Sequence, residues 1–161
     1  MSPKDSFQQA FTFLKNGDAR LCANACKAAL LNHPEDINLL CLLSRSSIAL
    51  RLFEEAQGYL NEATRLSPKS SIARETYGDL LLVQNRASEA IREYEFVKQL
   101  NSNRKQIEQK IKHAKNMEAE LTAEILKLDK NNKETKLNPH EFMIAEEMLK
   151  AQEHHESGRT D

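Results

Sequence analysis

Arg65-Leu66-Ser67-Pro68 and Gln99-Leu100-Asn101-Ser102 decide the fold, because they fall at the same place in a pattern that returns every 34 residues. Pro34 and Pro68 stand one such step apart, and the next step lands on Ser102. The residues between these marks keep the register. Cys22 is followed by Ala56 and Ala90, and Ala29 by Ala63 and Val97. Ala10 is followed by Ser44 and Gly78, and Cys26 by Leu60 and Tyr94. Small residues return where two helices must approach, and larger apolar ones return where volume must be filled.

Each unit reads as two helices. Ser2 is a good N-cap and Pro3 suits the first helical position, where its missing N–H costs nothing. Phe7, Ala10, Phe11 and Leu14 then follow at helical spacing, and Asn16-Gly17 closes the helix. A second helix is expected from about Asp18 to Leu31, with Leu21, Cys22, Ala25, Cys26 and Ala29 on its apolar stripe. Ile37, Leu40, Leu43, Ser44 and Ile48 mark the next first helix; Phe53, Ala56, Tyr59, Leu60 and Ala63 mark its partner. Tyr77, Gly78, Leu81 and Leu82, then Ala90, Ile91, Tyr94 and Val97, mark the third pair. Asn85 holds the turn place of Gly17, and Asn tolerates the left-handed conformation next best. The units span about 3–36, 37–70 and 71–102.

Beyond Ser102 the period breaks. Residues 103–130 contain neither Gly nor Pro, and Ile107, Ile111, Ala114, Leu121, Ile125 and Leu128 continue a helical pattern. One long capping helix or a kinked, degenerate pair is expected there, followed by a polar linker from Lys130 to Leu137. Asn138-Pro139-His140-Glu141 has the form of a helix start with a capping box. Ala151 to Gly158 matches the end of a first helix, so 131–161 is expected to hold a linker and the first helix of a truncated further unit. A half unit leaves an apolar face uncovered, which suggests a piece of a longer protein.

The 34-residue helix-turn-helix period and its register of small residues resemble the tetratricopeptide repeat (TPR) family, strongly over 3–102 and loosely beyond. The resemblance implies an all-α, right-handed superhelical solenoid of helix hairpins. The family's first-helix Trp is absent, its place taken by Ser6, Leu40 and Arg74. In this family the first helices line a concave groove that receives ligands. Carried over residue by residue, the groove would hold Phe7, Phe11 and Leu14, then Cys41, Arg45 and Ile48, then Glu75, Asp79 and Leu82. The apolar members either face a ligand or pack between helices. Arg45, Glu75 and Asp79 face solvent or a ligand, or form an internal ion pair, because an unpaired charge is costly in a core. TPR domains that clamp acidic chaperone tails use Lys, Asn and Arg at places held here by Phe7, Phe11, Arg45, Glu75 and Asp79. Two hydrophobes and two acids do not make that clamp.

The composition fits a binding protein better than an enzyme. A net charge of -1 gives no general reason to expect nucleic acid or membrane as partner. The basic stretch Arg104, Lys105, Lys110, Lys112, His113 and Lys115 reads as a solvated face, or as a contact for an anionic partner. Three cysteines, an odd number within apolar helical patterns, argue against a disulfide framework and for a reducing, cytoplasmic setting. Cys22 and Cys26, with Cys41 or His33, could begin a metal site, but they fall on packing positions. His154-His155 do not share a helix face. There is no Gly-rich phosphate loop, no G-x-S-x-G and no H-E-x-x-H. The expected role is therefore a non-catalytic scaffold without cofactor or metal, binding a protein or peptide. The alternative is the N-terminal accessory region of a larger enzyme with its catalytic domain downstream. Ala151-Gln-Glu-His-His-Glu-Ser-Gly-Arg159 loosely resembles bacterial TPR proteins that carry a C-terminal sulfotransferase domain.

Overall fold

A computed structural model describes residues 1–100, 105–134, 143–144 and 146–151. Its elements are helices: α1 (Pro3–Lys15), α2 (Ala19–Leu30), α3 (Ile37–Ala49), α4 (Phe53–Leu66), α5 (Ser71–Val83), α6 (Ala87–Leu100) and α7 (Lys105–Glu134). The starts of α1, α3 and α5, and those of α2, α4 and α6, keep the step of 34. This is an all-α repeat fold.

The repetition extends to the capping hydrogen bonds. The side chains of Ser2, Asp36 and Ser70 accept from the backbone N–H groups of Asp5, Leu39 and Ala73, at 3.2, 2.9 and 3.3 Å. Each satisfies one donor that a helix start leaves unpaired. At the exits of α1, α3 and α5, Gly17, Arg51 and Asn85 all take positive φ, at 89°, 61° and 60°. The following N–H groups, of Asp18, Leu52 and Arg86, donate back to Phe13, Ser47 and Leu81 at 2.9, 2.8 and 2.9 Å. This is the left-handed helix exit that satisfies late carbonyls and turns the chain sharply.

Residues 1–118 form one compact unit. Each pair packs on itself, α2 packs on α3 and α4 on α5, and the first helices α1, α3 and α5 touch in sequence. The recurring positions line the seams: Cys22, Ala56 and Ala90 are fully buried, as are Cys26, Leu60 and Tyr94. Leu21 departs from expectation. It lies half exposed, because the buried face of α2 runs through Ala19, Cys22, Ala23, Cys26 and Ala29 instead. The first turns of α7 close the stack, with Ile107, Ile111 and Ala114 buried against Leu81, Ala90, Tyr94 and Val97.

Residues 119–161 form the second unit. α7 is a single helix that runs on through Glu134, so the first residues of the expected linker are helical. Asp129-Lys-Asn-Asn-Lys-Glu134 contains no Gly or Pro to stop it. Leu121, Ile125 and Leu128 on this stretch are exposed. Residues 143–144 and 146–151 are helical, with Met143, Ile144, Met148 and Leu149 exposed. The expected cap at Asn138, together with His154, His155 and Gly158, lies outside the described residues.

Candidate functional site

The nine groove positions occupy equivalent places on α1, α3 and α5, one set per helix. Their surroundings differ sharply. On α1 the rings of Phe7 and Phe11 stack with centroids 5.9 Å apart and planes 8° from parallel. Both rings and Leu14 are half buried, resting on the first core cluster, so each keeps an accessible apolar edge. On α3 the three part company. Cys41 is fully buried among Leu40, Ala56, Leu60 and Leu80, and so cannot face a partner. α3 is packed on by α2, α4, α1 and α5, which leaves it little free surface. Ile48 is partly buried against the same cluster, whereas Arg45 is exposed.

On α5 the charges form an internal network. Lys110 of α7 places its Nζ 2.6 and 2.8 Å from the two carboxylate oxygens of Asp79 and 3.0 Å from Oε1 of Glu75. The Tyr94 hydroxyl donates to Asp79 Oδ1 at 2.7 Å. The tyrosine ring is fully buried, so its hydroxyl needs a fixed acceptor, and Asp79 supplies it. Burial and the adjacent carboxylate of Asp79 push the Tyr94 phenol well above its ordinary value. Leu82, beside Tyr77, packs against the cluster of Leu81, Ala90, Tyr94, Val97 and Ile107.

Lys110 is the member of this network that the sequence misplaced, assigned there to a basic stretch on a solvated face or against an anionic partner. The signal was present, since Ile107, Lys110, Ile111 and Ala114 share one helical face. Of the other basic residues, Lys115 reaches Glu95 at 3.8 Å, Lys98 of α6 reaches Glu108 at 3.1 Å, and His113 is exposed.

An open cavity of about 630 Å³ lies where α3, α5 and α7 meet, lined by Arg45, Ile72, Glu75, Thr76, Asp79, Lys105 and Gln106. It joins three of the nine groove positions. Glu75 and Asp79 are already bonded to Lys110, while Arg45 and Lys105 make no hydrogen bond or ion pair among the described residues. The Thr76 hydroxyl donates to the Ile72 carbonyl at 2.8 Å, and the Ile72 side chain provides an apolar wall.

The cysteines are packing residues. All three are free and buried. Desolvation raises the thiol pKa of Cys22 and Cys26, and pushes that of Cys41 up to about 12, opposed in part by the charge of Arg45. A protonated, buried thiol is a poor metal ligand and a poor nucleophile. Among the described residues no group of three or more His, Cys, Asp or Glu side chains could hold a metal ion. Nor is any helix among them long and apolar enough to cross a membrane.

No protein-family model matches the chain, and no curated protein matches it in sequence. Solved structures do match in fold. The Sgt2 TPR domain from Aspergillus fumigatus superposes with a TM-score of 0.67 at 17% identity, over 76% of this chain and 83% of that one. The first TPR domain of human RPAP3 gives 0.66 at 17% identity, over 71% and 91%. The first TPR of Spaghetti (RPAP3), bound to the HSP90 peptide SRMEEVD, gives 0.63 at 18% identity, over 71% and 90%. The chain shares the TPR solenoid fold with these domains.

Proposed function

We propose that this chain is a non-catalytic protein-interaction scaffold that receives a peptide or helix on the concave face of α1, α3 and α5. Residues 1–102 form its three binding units, and α7 caps the third. The observation that carries the reading is the open cavity at Arg45, Glu75 and Asp79, positions equivalent by the 34-residue step to those of the stacked, half-buried Phe7 and Phe11. Peptide binding by a solenoid of the same fold, the Spaghetti domain, supports it. The tail-clamping side chains are not part of the proposal, because Phe7 and Phe11 offer no charge or amide to a terminal carboxylate. Three free thiols suit a reducing, cytoplasmic setting. The accessory-region reading, with a sulfotransferase domain downstream, gains no support from the described geometry.

The test begins with photo-crosslinking from Phe11 to capture a partner, followed by calorimetry with that partner. Aromatic anchors dominate such interfaces, so Phe11→Ala is expected to weaken binding by about 2 kcal/mol, roughly thirtyfold. Glu62→Lys, on α4 and away from the face, is expected to leave binding unchanged. Loss in the control with retention in Phe11→Ala would place the site elsewhere.

A further inference from the structure

The cavity between α3, α5 and α7 carries a charge pattern opposite to the one its acidic residues suggest. Taken alone, Glu75 and Asp79 would call for a basic partner residue. The Lys110 ammonium, however, lies within hydrogen-bond distance of both carboxylates. A second ammonium entering the cavity would meet Arg45 and Lys105 on its wall, and two carboxylates already bonded to Lys110. The groups left to bind are the exposed Arg45 and Lys105, which have no hydrogen bond or ion pair among the described residues, and the Gln106 amide beside them.

We propose that this cavity takes the carboxylate of an internal Asp or Glu side chain of the bound segment, held between Arg45 and Lys105. The guanidinium offers parallel donors that suit a carboxylate, and the ammonium adds a second, mobile charge. The methylenes of the acidic residue lie along Ile72. Lys110 makes this possible by pairing with both Glu75 and Asp79 and offsetting one of their two charges, and Arg45 with Lys105 then tips the cavity toward positive charge. The proposal rests on the concave face being the binding surface and adds the chemistry of the partner to it.

The experiment uses the full chain, isotopically labelled, titrated in solution NMR with short peptides capped at both ends. The peptides share a Phe and differ only in a central pair, Glu-Glu, Gln-Gln or Lys-Lys; a fourth is the Gln-Gln peptide with a free C-terminal carboxylate. The Glu-Glu peptide is expected to shift the amides of Arg45, Ile72, Thr76 and Gln106, with affinity that falls as salt rises. Arg45→Gln and Lys105→Gln are each expected to weaken it about fivefold, the size of a partly screened ion pair. Both residues are exposed, so the variants are expected to fold. Lys110→Met is expected to shift preference toward the Lys-Lys peptide, which a purely structural role for Lys110 would not produce. Equal or tighter binding of the Gln-Gln or Lys-Lys peptide to the unmodified chain overturns the proposal. If Phe11→Ala still weakens those peptides, the concave-face reading survives that failure. Preference for the free C-terminus, or no shift at these amides with the Glu-Glu peptide, overturns the proposal as well. Shifts confined to α2 and α4 would also remove the concave-face reading.

Discussion

The first and third repeat units place different residues at the same two seam positions. In the first unit Ala10 and Cys26 are both fully buried within one cluster that also holds Cys22, Leu39, Leu42 and Leu43. In the third, Tyr94 takes the place of Cys26, and Gly78 that of Ala10. A Cβ added to Gly78 would lie 2.5 Å from Tyr94 Cε1. The middle unit is intermediate, with Ser44 and Leu60 buried and the Ser44 hydroxyl donating to the Ala56 carbonyl at 3.1 Å. The repeat thus fixes where the seam lies and keeps the first-helix residue small, but does not set the size of the residue that faces it. Filling it with a tyrosine has a consequence that Cys26 does not. Its buried hydroxyl requires Asp79, and Asp79 is in turn paired by Lys110 of α7. One large residue in the seam is thereby tied to the charge pair between α5 and α7.

The contrast can be broken most severely at Tyr94. Tyr94→Ala removes a fully buried ring and is expected to cost about 3–5 kcal/mol in a denaturant melt. Cys26→Ala, at the equivalent place, removes one sulfur and is expected to cost clearly less. Equal losses would mean that the third seam is not organised around the ring. Next in size is Gly78→Ala, expected to destabilise by about 1–3 kcal/mol, because the buried Tyr94 ring cannot swing away. Combining it with Tyr94→Leu should recover part of the loss, since residues in direct contact couple; strictly additive losses would contradict the assumed contact.

A smaller and pH-dependent effect sharpens the same comparison. The folded chain holds the Tyr94 proton above the ordinary tyrosine range of about 10. The unfolded chain gives that proton up first. The stability that Tyr94 contributes is therefore fully present below about pH 10 and declines as pH rises toward the folded value. The buried thiols act with the same sign from about pH 9. Tyr94→Phe should flatten the upper part of the decline and leave the thiol part. An unchanged alkaline profile would show that the phenol is not held in its neutral form.

The smallest effect concerns the three helix exits. Gly17, Arg51 and Asn85 share positive φ, but an arginine there is strained by roughly 1 kcal/mol or more relative to glycine. Its guanidinium lies 5.3 Å from the Phe53 ring centroid, which returns part of that cost. Arg51→Gly is expected to raise stability by up to about 1 kcal/mol in thermal melts. A loss would show that the contact with Phe53 outweighs the backbone strain.

Much of the repeat plan was legible because it is written in residue size. Ala10, Ser44 and Gly78 announce close approaches, and Ser2-Pro3 and Asn16-Gly17 bracket α1. The exit at Arg51 was not legible, since an arginine carries no local signal for positive φ; only its 34-residue offset from Gly17 reveals it. Cys41 was misplaced because its groove position assumes an open face, whereas α3 is enclosed by four other helices. Leu21 was misplaced because a one-position rotation of the α2 stripe leaves the apolar count unchanged.

What the sequence determined by itself is the all-α repeat and its step of 34. These depend on local spacing: helical periodicity, small residues in register and turn residues at fixed offsets. What only the tertiary structure decided is which cation pairs with the acidic residues of α5. Glu75 and Asp79 lie on α5, and the cation that pairs with both lies 31 residues beyond Asp79 on a helix outside the repeat. Charges act through space at a few ångströms, so their sum at a site becomes known only when the chain has brought those helices together.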